Sequence, residues 1–307
     1  MQTDLGGSLS ETGSDSGSGI VAAYSYAARY VYSEVVVQND NFLQLTAAAD
    51  AYQTPITTSV LTRPASRTVG FQSAFGNTVH RSRVAVPHQE LTILSIGVVR
   101  FELPGDYPSE VALVPVSGDL ALEEFLTATP LVHPDQLADR AREIAGPAPG
   151  LLEAVEGITG WVYQNIQYVR RSTTVSTTAE EVLSTGVGVC QDMAHVAMGM
   201  LKSLGIPSRY VCGLLSTEVG ETHAWLEFWH PLQGWIPSDP TRGHSVARYG
   251  DLLKFSVGRD YTEAAPVAGS FVSRGAGWLD TAVAQVQIGR DSITFEEAAG
   301  LLEILPP

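Results

Sequence analysis

Apolar positions along the chain change their period more than once. From Ala22 to about Val116, short β-branched and aromatic runs recur between Gly, Pro and Asn breaks. Val31-Tyr32-Ser33-Glu34-Val35-Val36-Val37 and Leu91-Thr92-Ile93-Leu94-Ser95-Ile96 are the clearest of them. Runs of this kind predict the strands of an antiparallel sandwich or sheet. Three- and four-residue spacing then takes over in residues 120–126, 134–144 and 151 to about 168, which predicts helices, with Pro134 suited to a first turn. Gly146-Pro147-Ala148-Pro149-Gly150 breaks the second from the third. Thr178-Ala179-Glu180-Glu181 carries a capping-box signature for a short helix to Leu183. Val196, Met200, Leu201 and Leu204 mark one more helix, which stops at Gly205 with Pro207 just beyond.

Beyond Pro207 the pattern is mixed. The run 209–215, the alternation around His223 and the pair Trp235-Ile236 predict strands, with 230–234 as a turn between the last two. A modest helical piece to Phe255 and a strand over 282–288 follow. The ends differ from the body. Residues 1–20 are rich in Gly, Ser, Thr and acids and bury too little to offset their ordering entropy, so they are expected to be disordered. Residues 291–307 form an acidic tail with an apolar stripe, expected as a terminal helix packed on the body, with packing on a partner subunit as the alternative. The organisation expected is therefore a β-rich domain over 21–118 and an α+β domain over 119–290, whose core is of the papain-like kind: a helix carrying Cys190 packed on an antiparallel sheet.

Composition narrows the partners. The 307 residues carry 18 Lys and Arg against 33 Asp and Glu, a net charge of −15, and Lys202 and Lys254 are the only lysines. An acidic, Lys-poor protein lacks the basic footprint that nucleic acid or an anionic membrane requires. No apolar run is long enough to span a bilayer and no secretory leader is visible, so the cytoplasm is the expected location. Two cysteines, Cys190 and Cys212, make no disulfide framework, and Cys212 inside an apolar strand is expected to be a buried structural thiol.

The chemistry converges on three short blocks. Gly186-Val187-Gly188-Val189-Cys190-Gln191-Asp192-Met193-Ala194-His195 puts a thiol at the first turn of a helix, where the positive end of the dipole favours a thiolate. A nucleophilic Cys needs a base, and the base needs an orienting group. His223, in Thr222-His223-Ala224-Trp225-Leu226-Glu227, and Asp239, in Trp235-Ile236-Pro237-Ser238-Asp239-Pro240-Thr241, fall on neighbouring predicted strands that can set them side by side. The three blocks, in this order, resemble the transglutaminase-like superfamily of cysteine acyl-transfer enzymes. The stretch from Val257 to Gly269 and the all-β region ahead of the core resemble its bacterial and archaeal branch.

The resemblance implies a Cys190, His223, Asp239 triad that acts on amide or peptide bonds through a thioester. A peptidase or amidase is the leading expectation; a protein-glutamine transamidase or peptide ligase, or a non-catalytic binding module on the same fold, are the alternatives. The oxyanion would be held by the Cys190 backbone N–H and one more donor, with Gln164, Trp161 and Tyr163 as candidates by position in the chain. Asp192 is accounted for as an acid in a helix first turn. His195 lies about 140° around the helix from Cys190 and is expected to pack rather than react. Trp225, Glu227 and Trp235 are expected to wall the site. Cys190, His195, Cys212 and His223 match no zinc spacing, and no loop of alternating acids suits calcium, so neither metal nor cofactor is expected. The expected partner is a protein or peptide substrate, with an amine as second substrate in the transfer alternative; the oligomeric state is left open.

Overall fold

The β-branched runs of the first hundred residues form six strands: β1 (Ile20–Val36), β2 (Gln38–Leu43), β3 (Gln53–Arg63), β4 (Arg67–Gln72), β5 (Thr78–Val84) and β6 (His88–Phe101). The structure is a computed structural model that describes residues 19–103, 107–114, 116, 118–146, 148, 150–216 and 220–289. The tail expected over 291–307 and all but the end of the segment 1–20 lie outside these residues; Ile20 already belongs to β1.

The helical patterns give α1 (Leu120–Glu123), α2 (Pro134–Ala145) and α3 (Leu151–Asn165). A two-residue strand, β7 (Gln167–Tyr168), precedes α4 (Ala179–Thr185), and a second, β8 (Val187–Gly188), precedes α5 (Cys190–Ser203). Then come β9 (Ser208–Leu215), β10 (His223–His230), β11 (Gly234–Ser238), β12 (Leu252–Gly258), α6 (Tyr261–Ala264), β13 (Val267–Val272) and β14 (Gly277–Gly289). β12 corrects the helical piece expected up to Phe255. All seven of its residues are buried, so its apolar run comes from burial on both faces and not from a helical stripe.

Three four-stranded antiparallel sheets result. The core sheet runs β11-β10-β9-β12, and α5 lies across it with α2, α3 and α4 packed around the helix. Ala194, Ala197, Met198 and Leu201 of α5 meet Ala154, Ile158 and Val162 of α3 and the Leu226 and Phe228 side of the sheet in one apolar cluster. The strands ahead of it form β14-β1-β6-β3 and β13-β2-β5-β4, so the last two strands of the described chain complete sheets begun by its first strands. The boundary drawn at 118 therefore separates stretches of sequence that share sheets in space. A second cluster, with Tyr24, Leu91, Val99 and Phe101 on one side and Leu214, Leu253 and Phe255 on the other, joins these sheets to the core sheet.

This is a mixed helix and antiparallel-sheet architecture with an N-terminal β region and a papain-like core, as the hydrophobic pattern predicts. Gly213 shows how closely the core sheet is packed: a Cβ there would run into the Leu253 carbonyl and the Trp225 ring. Among the described residues, no helix is long and apolar enough to cross a membrane.

Candidate active site

Local structure fixes where Cys190 stands. α4 ends at Gly186 in the left-handed region, φ 70°, a C-terminal position where a side chain would be strained. The next residues run parallel to β7, with Gln167 N–H donating to Gly186 O at 2.8 Å and Val169 N–H to Gly188 O at 2.9 Å. Val189 caps α5 and has no polar side chain, so only the return half of a capping box forms: Asp192 Oδ2 accepts the Val189 N–H at 2.7 Å. The same oxygen accepts the Thr173 hydroxyl at 2.6 Å, tying the 169–177 loop to the helix start. Burial pushes the Asp192 carboxyl up, and these two donors pull it back only in part. Cys190 is thus the first residue of α5, half-buried, while the twelve residues after it are buried. The unpaired N–H groups of that first turn give it a positive local field.

The partner residues come from the core sheet. His223 opens β10, opposite Gly213 of β9, and its ring lies nearly parallel to Trp225 at 6.2 Å. β11 returns beside β10 and ends at Ser238, which delivers Asp239, fully buried, to the imidazole. His223 Nε2 bonds Asp239 Oδ2 at 2.8 Å. The other carboxylate oxygen is pinned by the Thr241 and Arg242 N–H groups at 3.1 and 3.4 Å, so the acceptor is aimed before any substrate arrives.

The Cys190 side chain lies close enough to the His223 ring to raise the affinity of the ring for its proton. With Asp239 on Nε2, Nδ1 is the nitrogen left for sulfur. Burial by itself would lower the affinity of His223 for its proton, but Asp239 and Cys190 together outweigh it and raise the pKa to about 10. The imidazole therefore carries its proton at neutral pH, next to a thiol at a helix start. A proton donor, a sulfur nucleophile and a fixed carboxylate stand next to one another.

A cavity of about 620 Å³ opens over the sulfur and contains His223 in its wall. Several of its other walls are residues that sequence reasoning missed: Tyr168, Arg170, Arg171, Tyr210, Glu221 and Tyr261. Tyr168 gets there through the two-residue pairing of β7 with β8, too short to leave a periodic signal. Burial, then the neighbouring Cys190, raises its phenol pKa. Cys212 also reaches the cavity; burial, then Cys190, drives its thiol well up, so it stays protonated.

The other sequence candidates are distributed differently. Gln164 and Trp161 are not among the walls of the cavity over Cys190. The buried face of α3 is Leu151, Ala154, Val155, Ile158, Thr159 and Val162; Gln164 falls outside it and is exposed. Trp161 lies on its edge, half-buried beneath the Arg140 guanidinium at 5.4 Å. Tyr163 is likewise exposed and packs beneath Gly243. Trp225 is buried behind His223 with Val211, Leu252 and Val257. His195 is fully buried; its Nε2 accepts the Tyr261 N–H at 3.1 Å, tying α5 to the turn that brings Tyr261 to the cavity. Glu227 lies between Arg209 and Lys254. Trp235 stacks under the Arg209 guanidinium at 4.3 Å. Among the described residues, no group of three or more His, Cys, Asp or Glu is placed to hold a metal ion.

Comparison with known proteins returns the same regions. A family model described as the transglutaminase-like superfamily matches residues 138–240. A second, the bacterial transglutaminase-like N-terminal region, matches residues 23–100. An uncharacterised protein of Mycobacterium leprae is 31% identical over 268 residues, covering 83% of this chain and 94% of that protein. A protein-glutamine gamma-glutamyltransferase of Pseudomonas aeruginosa is 28% identical over 127 residues, 37% of this chain and 18% of that protein. The crystal structure of a candidate cysteine protease from Cytophaga hutchinsonii superposes with a TM-score of 0.76 at 21% identity, covering 90% of this chain and 93% of that one. That likeness is one of fold.

Proposed function

The chain belongs to the transglutaminase-like superfamily, and from that premise we propose that it is a peptidase or amidase whose nucleophile is Cys190. The observation that carries the reading is the meeting of Cys190 and His223 in the wall of one cavity, with buried Asp239 bonded to the ring behind them.

The Cys190 thiolate attacks the carbonyl carbon of an amide, and the resulting oxyanion is met by the Cys190 backbone N–H at the start of α5. The C–N bond breaks as the His223 imidazolium gives its proton to the departing nitrogen, leaving a thioester and a neutral imidazole. Water then loses a proton to His223 and attacks the thioester; the C–S bond breaks and the acid leaves. Asp239 holds the ring by Nε2 and stabilises the imidazolium, as the orienting acid of such a triad does.

Water is given preference over an amine as acceptor because the cavity is roomy and carries Arg170, Arg171, Gln191, Glu221 and Thr222 among its walls. A dry, aromatic-lined channel would favour transfer. The likeness of residues in this chain to a protein-glutamine gamma-glutamyltransferase keeps transfer to an amine as the second reading.

The test is the rate of iodoacetamide alkylation of Cys190 against pH, followed by mass spectrometry with buried Cys212 as internal control. The wild type should label quickly well below pH 8, and His223→Ala should slow labelling there by roughly tenfold or more. Labelling like an ordinary thiol of pKa about 8.5, unchanged by the substitution, would leave a binding module as the better account.

A further inference from the structure

The cavity over Cys190 carries a feature that the proposed chemistry does not use. Arg170 and Arg171 stand side by side in its wall, immediately after Tyr168, which is held beside the Cys190 loop by the β7–β8 pairing. Against the larger effect of burial, the Arg170 charge favours ionisation of the Tyr168 phenol. Both arginines are exposed, and neither enters an ion pair among the described residues. Among the same residues seven arginines do, while Arg63, Arg67, Arg83, Arg100, Arg248 and Arg274 do not; what sets Arg170 and Arg171 apart is their place in the cavity wall.

Arg171 has a φ of 61°, the only non-glycine at positive φ among the described residues. Such a backbone is costly for a long side chain and persists where surrounding structure enforces it, most often at sites of binding or catalysis. In a chain with 33 acidic against 18 basic residues, two adjacent guanidinium groups without acid partners beside a nucleophile are a local reversal of sign.

We propose that Arg170 and Arg171 bind a carboxylate of the acyl donor, so that the preferred substrate is a peptide with an acidic group next to the amide that Cys190 attacks. This rests on the reading of Cys190 as the nucleophile. Guanidinium groups suit the task because their planar N–H forks match a carboxylate in bidentate geometry. The net charge of −15 does not prevent it. At physiological ionic strength fields decay over about 8 Å, so a ligand within the cavity responds to the pair beside it more than to the distant surface.

Glu221 is the opposing charge. It lies in the same cavity on the His223 side, preceding Thr222, and acts on Tyr168 in the opposite sense to Arg170. One carboxylate against two guanidinium groups leaves the charged lining of the cavity net positive. The acidic group of a substrate is drawn to the two arginines and repelled by Glu221.

Two reagents of nearly equal size read this charge at the sulfur itself: anionic iodoacetate and neutral iodoacetamide. The ratio of their alkylation rates at Cys190, normalised to N-acetylcysteine, should favour iodoacetate in the wild type. It should fall about fivefold in Arg170→Gln/Arg171→Asn, the order expected for two water-screened charges. Asn tolerates positive φ, so the fold is spared. Arg170→Lys/Arg171→Lys should keep most of the preference. An unchanged ratio in the neutral double variant overturns the proposal.

Protection of Cys190 from iodoacetamide by three short acetylated glutamine peptides then distinguishes the source of the carboxylate. One carries a neighbouring glutamate side chain, one a free C-terminal carboxylate and one neither. Protection by one of the two charged peptides, lost in the neutral variant, identifies the group recognised; equal protection by the uncharged peptide overturns the proposal. Failure of the nucleophile reading shows up separately, as slow labelling of the wild type by both reagents below pH 8.

Discussion

In the ring of His223 two effects of opposite sign meet. Burial strips away the water that would solvate an imidazolium, while the Asp239 carboxylate on Nε2 and the sulfur of Cys190 supply what the lost water did. The attractive terms win, so the folded pKa, about 10, lies above the ordinary value of 6.5. A raised pKa contributes stability that is present in full below pH 6.5 and is lost as pH rises through about 10. Asp239→Asn keeps the shape of the side chain and its acceptor for the Thr241 and Arg242 N–H groups but removes the charge. The His223 ring resonances, followed by NMR, should then titrate well below the wild-type position. The stability gap between wild type and variant in urea should be wide at pH 6 and should close towards pH 10 and above. Activity should fall by roughly 10³- to 10⁴-fold, as when the orienting acid of a related triad is neutralised. A variant whose ring titrates like the wild type would detach Asp239 from the role assigned to it. Cys190, His223 and Asp239 were legible in sequence because each lies in a block with a local signal, a helix start or a strand end. Arg170, Arg171 and Tyr168 had none, since a two-residue bridge and a loop leave no period to read.

The helix α5 shows why an element can be legible while its attachments are not. Its apolar spacing and its Gly205 stop predict a helix with Cys190 at or near the first turn, and Cys190 is its first residue. What the spacing does not contain is Thr173, which comes from a distant loop to share the same Asp192 oxygen. Gln164 and Trp161 lie outside the cavity walls for a related reason: nearness in chain to the Cys190 helix says nothing of which face of α3 meets it. The double use of Asp192 has a measurable consequence. Asp192→Ala frees the Val189 N–H and the Thr173 hydroxyl together and should cost about 1–2 kcal/mol in thermal or urea unfolding. Asp192→Asn retains a carbonyl acceptor in the same place and removes a carboxylate that burial disfavours. Its cost should therefore be clearly smaller, and iodoacetamide labelling of Cys190 should stay near the wild-type rate. Equal losses in the two variants would mean that charge, and not the acceptor, fixes the helix start.

Across the whole molecule the β region and the core are joined by strand exchange and by a buried ion cluster. β14 pairs with β1 and β13 with β2, so the last strands of the described chain close sheets opened by the first. Pairings of such long separation depend on partners that local periodicity does not contain, which is why alternation marked the strand over 282–288 without revealing its neighbour. On the core side, Lys254 of β12 reaches Asp50 of the loop between β2 and β3 at 2.5 Å and also contacts Glu227 of β10, while Arg209 of β9 takes the other Glu227 oxygen at 2.6 Å. Glu227 is 1% exposed. Burial would raise its carboxyl pKa, but Lys254 and Arg209 together hold it below the ordinary value. Lys254→Met leaves that buried carboxylate with one counter-ion and releases Asp50, and should cost on the order of 3–5 kcal/mol. The sign with pH follows from the lowered pKa: the contribution of Glu227 is present above the usual carboxylate range and is lost as pH falls below it. The deficit of Lys254→Met should accordingly be large at pH 7 and should shrink towards pH 3. Adding Glu227→Gln should recover part of it at pH 7, because a neutral amide no longer needs the missing charge. Because Glu227 shares β10 with His223, unfolding followed at Trp fluorescence and at Cys190 labelling should shift together in the single variant. Separate transitions would show that the β region and the catalytic sheet are less tightly joined than their shared core and ion cluster require.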